Sequence, residues 1–79
     1  MLLTIKYFGR LQEVTHQDQA HYDLPPACTV AELIQYVHQE HPALRDQSFQ
    51  VAVNRKIAPV GQILQADDEV ALLPPFSGG

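Results

Sequence analysis

Hydrophobic and polar residues alternate along 2–8, with Leu3, Ile5 and Tyr7 on one face and Thr4 and Lys6 on the other. A period of two predicts a half-buried strand. Gly9 breaks the pattern, and Leu11 and Val14, three residues apart, predict a short helical turn over 10–14 packed on the sheet edge. The polar run 15–19 reads as a loop. Alternation returns over 20–24, with Ala20, Tyr22 and Leu24 inward and His21 and Asp23 outward, until Pro25-Pro26 closes a second strand. The two strands form a hairpin across a wide connection.

The main helix is predicted to start at Thr29, because Thr29 and Glu32 have the spacing of a capping box. Val30, Leu33, Ile34 and Val37 follow at i, i+3, i+4 and i+7, an apolar stripe opposed by Glu32, Gln35, Gln39 and Glu40. Pro42 stops this helix near residue 40 or 41 by pushing its predecessor out of the α region. A connection over 43–48 leads to a strand over 49–53 with Phe49, Val51 and Val53 on one face. Asn54-Arg55-Lys56 reads as a tight turn, and Ile57 begins a short return strand that Pro59 curtails. Val60, Ile63 and Leu64 suggest a helical or 3₁₀ turn. Asp67-Asp68 supplies turn chemistry before a last strand over 69–73, whose Val70 and Leu72 face the core. One helix laid across a mixed sheet of four or five strands buries the apolar side of both layers, an α+β fold.

Length and charge narrow the picture. At 79 residues the chain is one domain, and a domain of this size buries only about 60–65% of its unfolded surface, leaving little room for an internal active-site cavity. Net charge is −4. Only Lys6, Arg10, Arg45, Arg55 and Lys56 are basic, which argues against nucleic acid as a partner. An acidic chain suits partners with basic docking surfaces. A single cysteine, Cys28, forms no internal disulfide, and neither a signal-like segment nor a long apolar run is present, so a cytoplasmic protein without a membrane partner is expected. Cys28 lies just before the helix start, where a thiolate is favoured, yet without a nearby cation it reads as a small structural residue. His16, His21, His38 and His41 lack companions at metal-ligand spacing and read as surface residues, so no metal site is expected. The acidic run Asp67, Asp68 and Glu69 reads as a solvated turn.

The chemistry gathers in Leu72-Leu73-Pro74-Pro75-Phe76-Ser77-Gly78-Gly79. Prolines fix φ, remove backbone donors and end the strand, so 1–73 is expected to form the folded body and 74–79 an extended tail. Gly78 and Gly79 are thin enough to enter a narrow channel in another protein. With glycine near 7% of ordinary usage, two in succession at a given place arise by chance about once in 200 sequences, which weighs against a frayed end. The carboxylate of Gly79 is the candidate reactive group, and with a pKa near 3.5 it is an anion and a poor electrophile until activated. The chain has no phosphate-binding loop, so nucleotide chemistry must come from a partner. Phe76, beyond two prolines, is suited to a partner pocket, with Phe8 and Leu73 as further docking residues.

Residues 68–79, with the acidic turn, strand, double proline and diglycine in succession, resemble the C-terminus of the molybdopterin synthase small subunit family of ubiquitin-like sulfur carriers. Tyr7-Phe8-Gly9-Arg10-Leu11-Gln12-Glu13-Val14 and Val51-Ala52-Val53-Asn54 resemble it too, so the likeness covers nearly the whole chain. One departure is Leu72-Leu73, where the family often carries aromatic residues. The resemblance implies a ubiquitin-like β-grasp fold with the first and last strands parallel in the sheet centre. It also implies that an activating enzyme adenylates Gly79 with ATP and that a persulfide sulfur converts it to a thiocarboxylate. The tail then inserts into a large synthase subunit and gives sulfur to cyclic pyranopterin monophosphate, in a complex of two small and two large subunits. Pro74, Pro75, Ser77 and Gly78 are the implied partner-binding tail around Phe76, and no cofactor is expected on this chain itself. The residues leave other outcomes open: a carrier for thiamine or tRNA thiolation, a modifier joined to lysines through Gly79, or a β-grasp interaction module with an inert tail.

Overall fold

Leu3, Ile5 and Tyr7 do point inward together: strand β1 (Leu2–Tyr7) buries all three and turns Leu2, Thr4 and Lys6 outward. The remaining elements are α1 (Arg10–Thr15), β2 (Gln19–Asp23), α2 (Val30–Glu40), a 3₁₀ helix (Pro42–Asp46), β3 (Gln50–Val53), β4 (Lys56–Ile57) and β5 (Val70–Leu73). They are seen in a computed structural model that describes residues 1–75. The five strands form one sheet in the order β2-β1-β5-β3-β4. β1 and β5 lie side by side in parallel, in the register Ile5↔Val70, Lys6↔Ala71, Tyr7↔Leu72, and every other pair is antiparallel. The β-grasp arrangement expected from the resemblance is therefore the observed one.

α2 crosses one face of this sheet. Its start follows from the sequence, since the Thr29 hydroxyl accepts the Glu32 amide at 3.2 Å while the Glu32 carboxylate accepts the Thr29 amide at 2.9 Å. Val30, Leu33 and Val37 are buried against β1, β3 and β5, and Ile34 packs at the margin of the same core. Each such aliphatic side chain contributes about 1.5–3 kcal/mol by leaving water. Pro42 follows the last turn directly. On the β3–β4 side, Asn54 and Arg55 both have positive φ, 52° and 70°, as a two-residue hairpin turn matching the twist of its strands requires.

Several sequence expectations need correction. Thr15 is the last residue of α1 and is buried, its hydroxyl donating to the Leu11 carbonyl at 2.9 Å, so the loop is shorter than 15–19 and β2 already includes Gln19. The connection over 43–48 holds the 3₁₀ helix, whose Leu44 is fully buried; one apolar residue in a single tight turn leaves no periodic signal. Phe49 precedes β3 and is half-buried beside the His38 ring. Segment 60–64 is no helix. Val60 and Ile63 are exposed, Ile63 bridges to Thr29, and only Leu64 enters the core. Two of the histidines read as surface residues are half-buried, His41 with its ring edge-on to Tyr7 at 5.6 Å and His38 against Phe49.

Candidate functional site

Because side chains alternate along a strand, burying Tyr7, Val70 and Leu72 leaves Lys6, Phe8, Ala71 and Leu73 on the opposite face of the sheet, which no helix of the described residues covers. Together with Ala52 of β3 they line a shallow groove of about 280 Å³. Its floor is apolar: Phe8, which is 42% exposed, Ala52, Ala71 and Leu73. Its rim is charged. The Glu69 carboxylate lies 3.9 Å from the Lys6 ammonium and 3.6 Å from the Arg55 guanidinium. The Arg55 side chain is largely in solvent and those of Lys6 and Glu69 are nearly half exposed, so these pairs add about 0–1 kcal/mol each and leave the charges free to be exchanged for a partner's.

The groove ends where β5 leaves the sheet. Phe8 donates its amide to the Leu72 carbonyl at 3.2 Å, the last rung between the two central strands. Pro74 is half-buried at that point and Pro75 is exposed. Of the residues that the sequence nominates, Phe8, Leu73, Pro74 and Pro75 are thus gathered at one end of the sheet. Phe76, Ser77, Gly78 and Gly79 lie outside the described residues. The groove floor at Ala52 and Ala71 and the rim at Lys6, Arg55 and Glu69 were missed in the sequence. A signal was present, because Val70-Ala71-Leu72-Leu73 is apolar at every position and so must present apolar surface on both faces.

The acidic turn beside the groove serves the fold. Asp68 accepts the Gln65 amide at 2.8 Å and the Asn54 side-chain amide at 3.0 Å, while the Asn54 side-chain oxygen Oδ1 accepts the Glu69 backbone amide at 3.0 Å. This ties the β3–β4 turn to the start of β5. Cys28 is buried at the foot of α2, and burial, with Glu32 nearby as a second cause, raises its thiol pKa. It is therefore an inert thiol at neutral pH. Among the described residues no group of three His, Cys, Asp or Glu side chains is placed to hold a metal ion, and no helix is long and apolar enough to cross a membrane.

Comparison with known proteins fits this geometry. The ThiS family profile matches residues 5–79, from the middle of β1 through both terminal glycines. The chain belongs to the ThiS family. Among ThiS relatives, the molybdopterin synthase sulfur carrier subunit of Mycobacterium tuberculosis is 34% identical, over 98% of this chain and 96% of its own length. The human protein of the same name is 30% identical, over 95% and 91%. In crystal form, small archaeal modifier protein 1 of Haloferax volcanii superposes with a TM-score of 0.86 at 30% identity over the full length of both chains. A ThiS-like fold also occurs in the complex of subunits 1 and 2 of the Helicobacter pylori molybdopterin-converting factor, with a TM-score of 0.70 at 22% identity over both full lengths.

Proposed function

We propose that this chain is the sulfur carrier subunit of a molybdopterin synthase, with the carboxylate of Gly79 as the atom-bearing group. The observation that carries the reading is the likeness to the molybdopterin synthase sulfur carrier subunit of Mycobacterium tuberculosis, 34% identical over 98% of this chain, within a family match that runs on to Gly79. In this reading 1–73 is the folded body and 74–79 the sulfur-carrying tail. A partner enzyme adenylates Gly79 with ATP. The terminal sulfur of a persulfide displaces AMP, and reductive cleavage of its S–S bond by a thiol leaves the thiocarboxylate. Two such transfers to cyclic pyranopterin monophosphate build the dithiolene of molybdopterin.

The carrier contributes a reactive atom and its placement, while acids, bases and anion-binding groups belong to the large subunit. The exposed groove gives both partners a docking surface. Phe8 and Leu73 supply its apolar contact, and Phe76, Ser77 and Gly78 continue the contact into the large subunit. Two carriers and two large subunits make up the assembly. A cytoplasmic setting, with the single Cys28 kept as a thiol, belongs to the same reading.

A second reading is favoured by the archaeal modifier relative, which is 32% identical over 94% of this chain: activated Gly79 is attacked by a lysine amine in place of sulfur. Both readings are tested by incubating the protein with an adenylating enzyme, ATP and a persulfide donor, followed by mass spectrometry. A carrier becomes about 16 Da heavier as one oxygen is replaced by sulfur. An isopeptide adduct on another protein supports the modifier. No change with either acceptor sinks both.

A further inference from the structure

β1 and β5 stay in parallel register up to Tyr7↔Leu72. Counting on two residues along each strand brings Gly9 opposite Pro74. At this point both chains leave the sheet. The backbone of Gly9 has φ 57° and ψ −131°, a combination that glycine adopts freely and L residues only under strain. It turns β1 into α1, whose first bonds run from the Leu11 amide to the Phe8 carbonyl and from the Gln12 amide to the Gly9 carbonyl.

The missing side chain matters as much as the backbone. A Cβ on Gly9 would lie 3.0 Å from Cγ and 3.7 Å from Cδ of Pro74, whereas carbon atoms pack comfortably at about 3.5–4.0 Å. The Pro74 ring therefore occupies the space that a glycine leaves open. Proline brings no N–H to the ladder, so ring packing replaces hydrogen bonding at the point where the tail departs.

We propose that Gly9 is a positioning residue for sulfur transfer: it forms a seat for the Pro74 ring and so fixes where, and in which direction, the tail leaves the body. The proposal rests on the reading of Gly79 as the sulfur-bearing terminus. Its reach gives the seat leverage. Five residues beyond Pro74 span at most about 17 Å, so a 20° change of heading at Pro74 displaces the tip by up to roughly 6 Å. Misplacement by about 1 Å is already enough to cost 10²-fold in a positioned reaction.

The test compares wild type, Gly9→Ala, Pro74→Ala and the double variant. Each is prepared with its C-terminal thiocarboxylate already installed by sulfide cleavage of an intein fusion, so that activation does not enter. Single-turnover sulfur transfer to the large synthase subunit and thermal melting are both measured. Each single variant is expected to transfer about tenfold more slowly or worse, and the double variant no more slowly than the worse single, because both remove one contact. Melting should separate the two effects, since Gly9→Ala lowers Tm in either background through its strained φ. A purely structural glycine would change Tm and leave transfer alone, and that result overturns the proposal, as does a double variant whose losses multiply. Should Gly9→Ala fail to fold, Pro74→Ala keeps glycine at position 9 and decides by itself: transfer within twofold of wild type overturns the seat. In free wild type, a nuclear Overhauser contact between Gly9 Hα and Pro74 Hγ is expected, and its absence overturns the seat whatever the reaction. Loaded wild type that transfers nothing instead removes the sulfur reading.

Discussion

Among single residues, the buried Tyr7 and Tyr22 make the sharpest physical case. Their hydroxyls share one hydrogen bond at 2.7 Å inside the core. Burial raises both phenol pKa values above their usual range near 10, and Glu40 nearby pushes the same way. The shared bond works oppositely on the two: Tyr22 donates to a Tyr7 phenolate and lowers that pKa, while Tyr22 itself would have to ionise against its neighbour. A folded phenol that stays protonated while its unfolded counterpart ionises favours the fold fully below pH 10 and loses that contribution above it. Stability should therefore fall as pH rises past about 10, by up to roughly 1.4 kcal/mol per pH unit for each such group. Melts across pH 9–11 on wild type and on the Tyr7→Phe/Tyr22→Phe double variant check this, and an equal slope in both would refute it. At neutral pH, Tyr22→Phe alone should cost about 1–3 kcal/mol by leaving the Tyr7 hydroxyl buried without a partner, whereas the double variant should cost less. Cys28 gives a simpler expectation. Its raised pKa and burial should make alkylation at pH 7.5 slower than in the urea-unfolded chain by on the order of 10³-fold, tracking the rarity of opening. Rapid native labelling would reopen the question of a reactive thiol.

For whole elements, how well each could be read from the sequence depended on how much of its burial was periodic. α2 was legible from Thr29, Glu32 and the stripe Val30, Leu33, Val37, because local capping and a single buried face point the same way. Thr29→Ala should accordingly cost about 1 kcal/mol, a fall in Tm of roughly 4–8 °C for a domain of this size; a melt unchanged within 1–2 °C would mean that packing alone fixes the helix start. The three-residue alternation in β1 was equally clear. What was not legible is held by long-range contacts. Leu44 is buried by a 3₁₀ turn that closes under α2, and Leu44→Ala should cost about 2–5 kcal/mol even though its own segment shows no pattern. Val60, Ile63 and Leu64 read as a helical or 3₁₀ turn, but the backbone here is committed to the start of α2, where the Val60 and Gln62 carbonyls accept the amides of Ala31 and Val30, and the Val60 and Ile63 side chains stay outside. The parallel neighbours β1 and β5 are separated by almost the full chain, so their pairing came from family resemblance and not from spacing. The site divides in the same way. Phe8, Leu73, Pro74 and Pro75 stood out by residue type and position, while Ala52 and Ala71 gained meaning only once the sheet order placed them side by side.

At the scale of the whole molecule, the core lies between α2 and one face of the sheet, and the docking groove lies on the other face. Stability and partner recognition are thus carried by opposite sides of the same strands, because each strand sends successive side chains to opposite faces. Substitutions can then separate them. Phe8 is partly exposed and outside the core cluster, so Phe8→Ala should cost about 1 kcal/mol of stability, well below the loss from truncating a core residue. On the functional side it removes the one aromatic side chain lining the groove among the described residues, and losses above about 1 kcal/mol are usual for aromatic anchors, roughly a tenfold weaker complex with the large subunit. Deleting Gly79 should do the converse: an unchanged melt and a complex that still forms through the groove, but no thiocarboxylate and no transfer. The two variants together carry the test, using thermal melting, equilibrium binding and mass spectrometry on each. A Phe8→Ala protein that binds as wild type does would move the docking surface elsewhere. Loss of several degrees on deleting Gly79 would show that the tail helps to hold the body, and the division into a folded holder and a reactive tail would have to be abandoned.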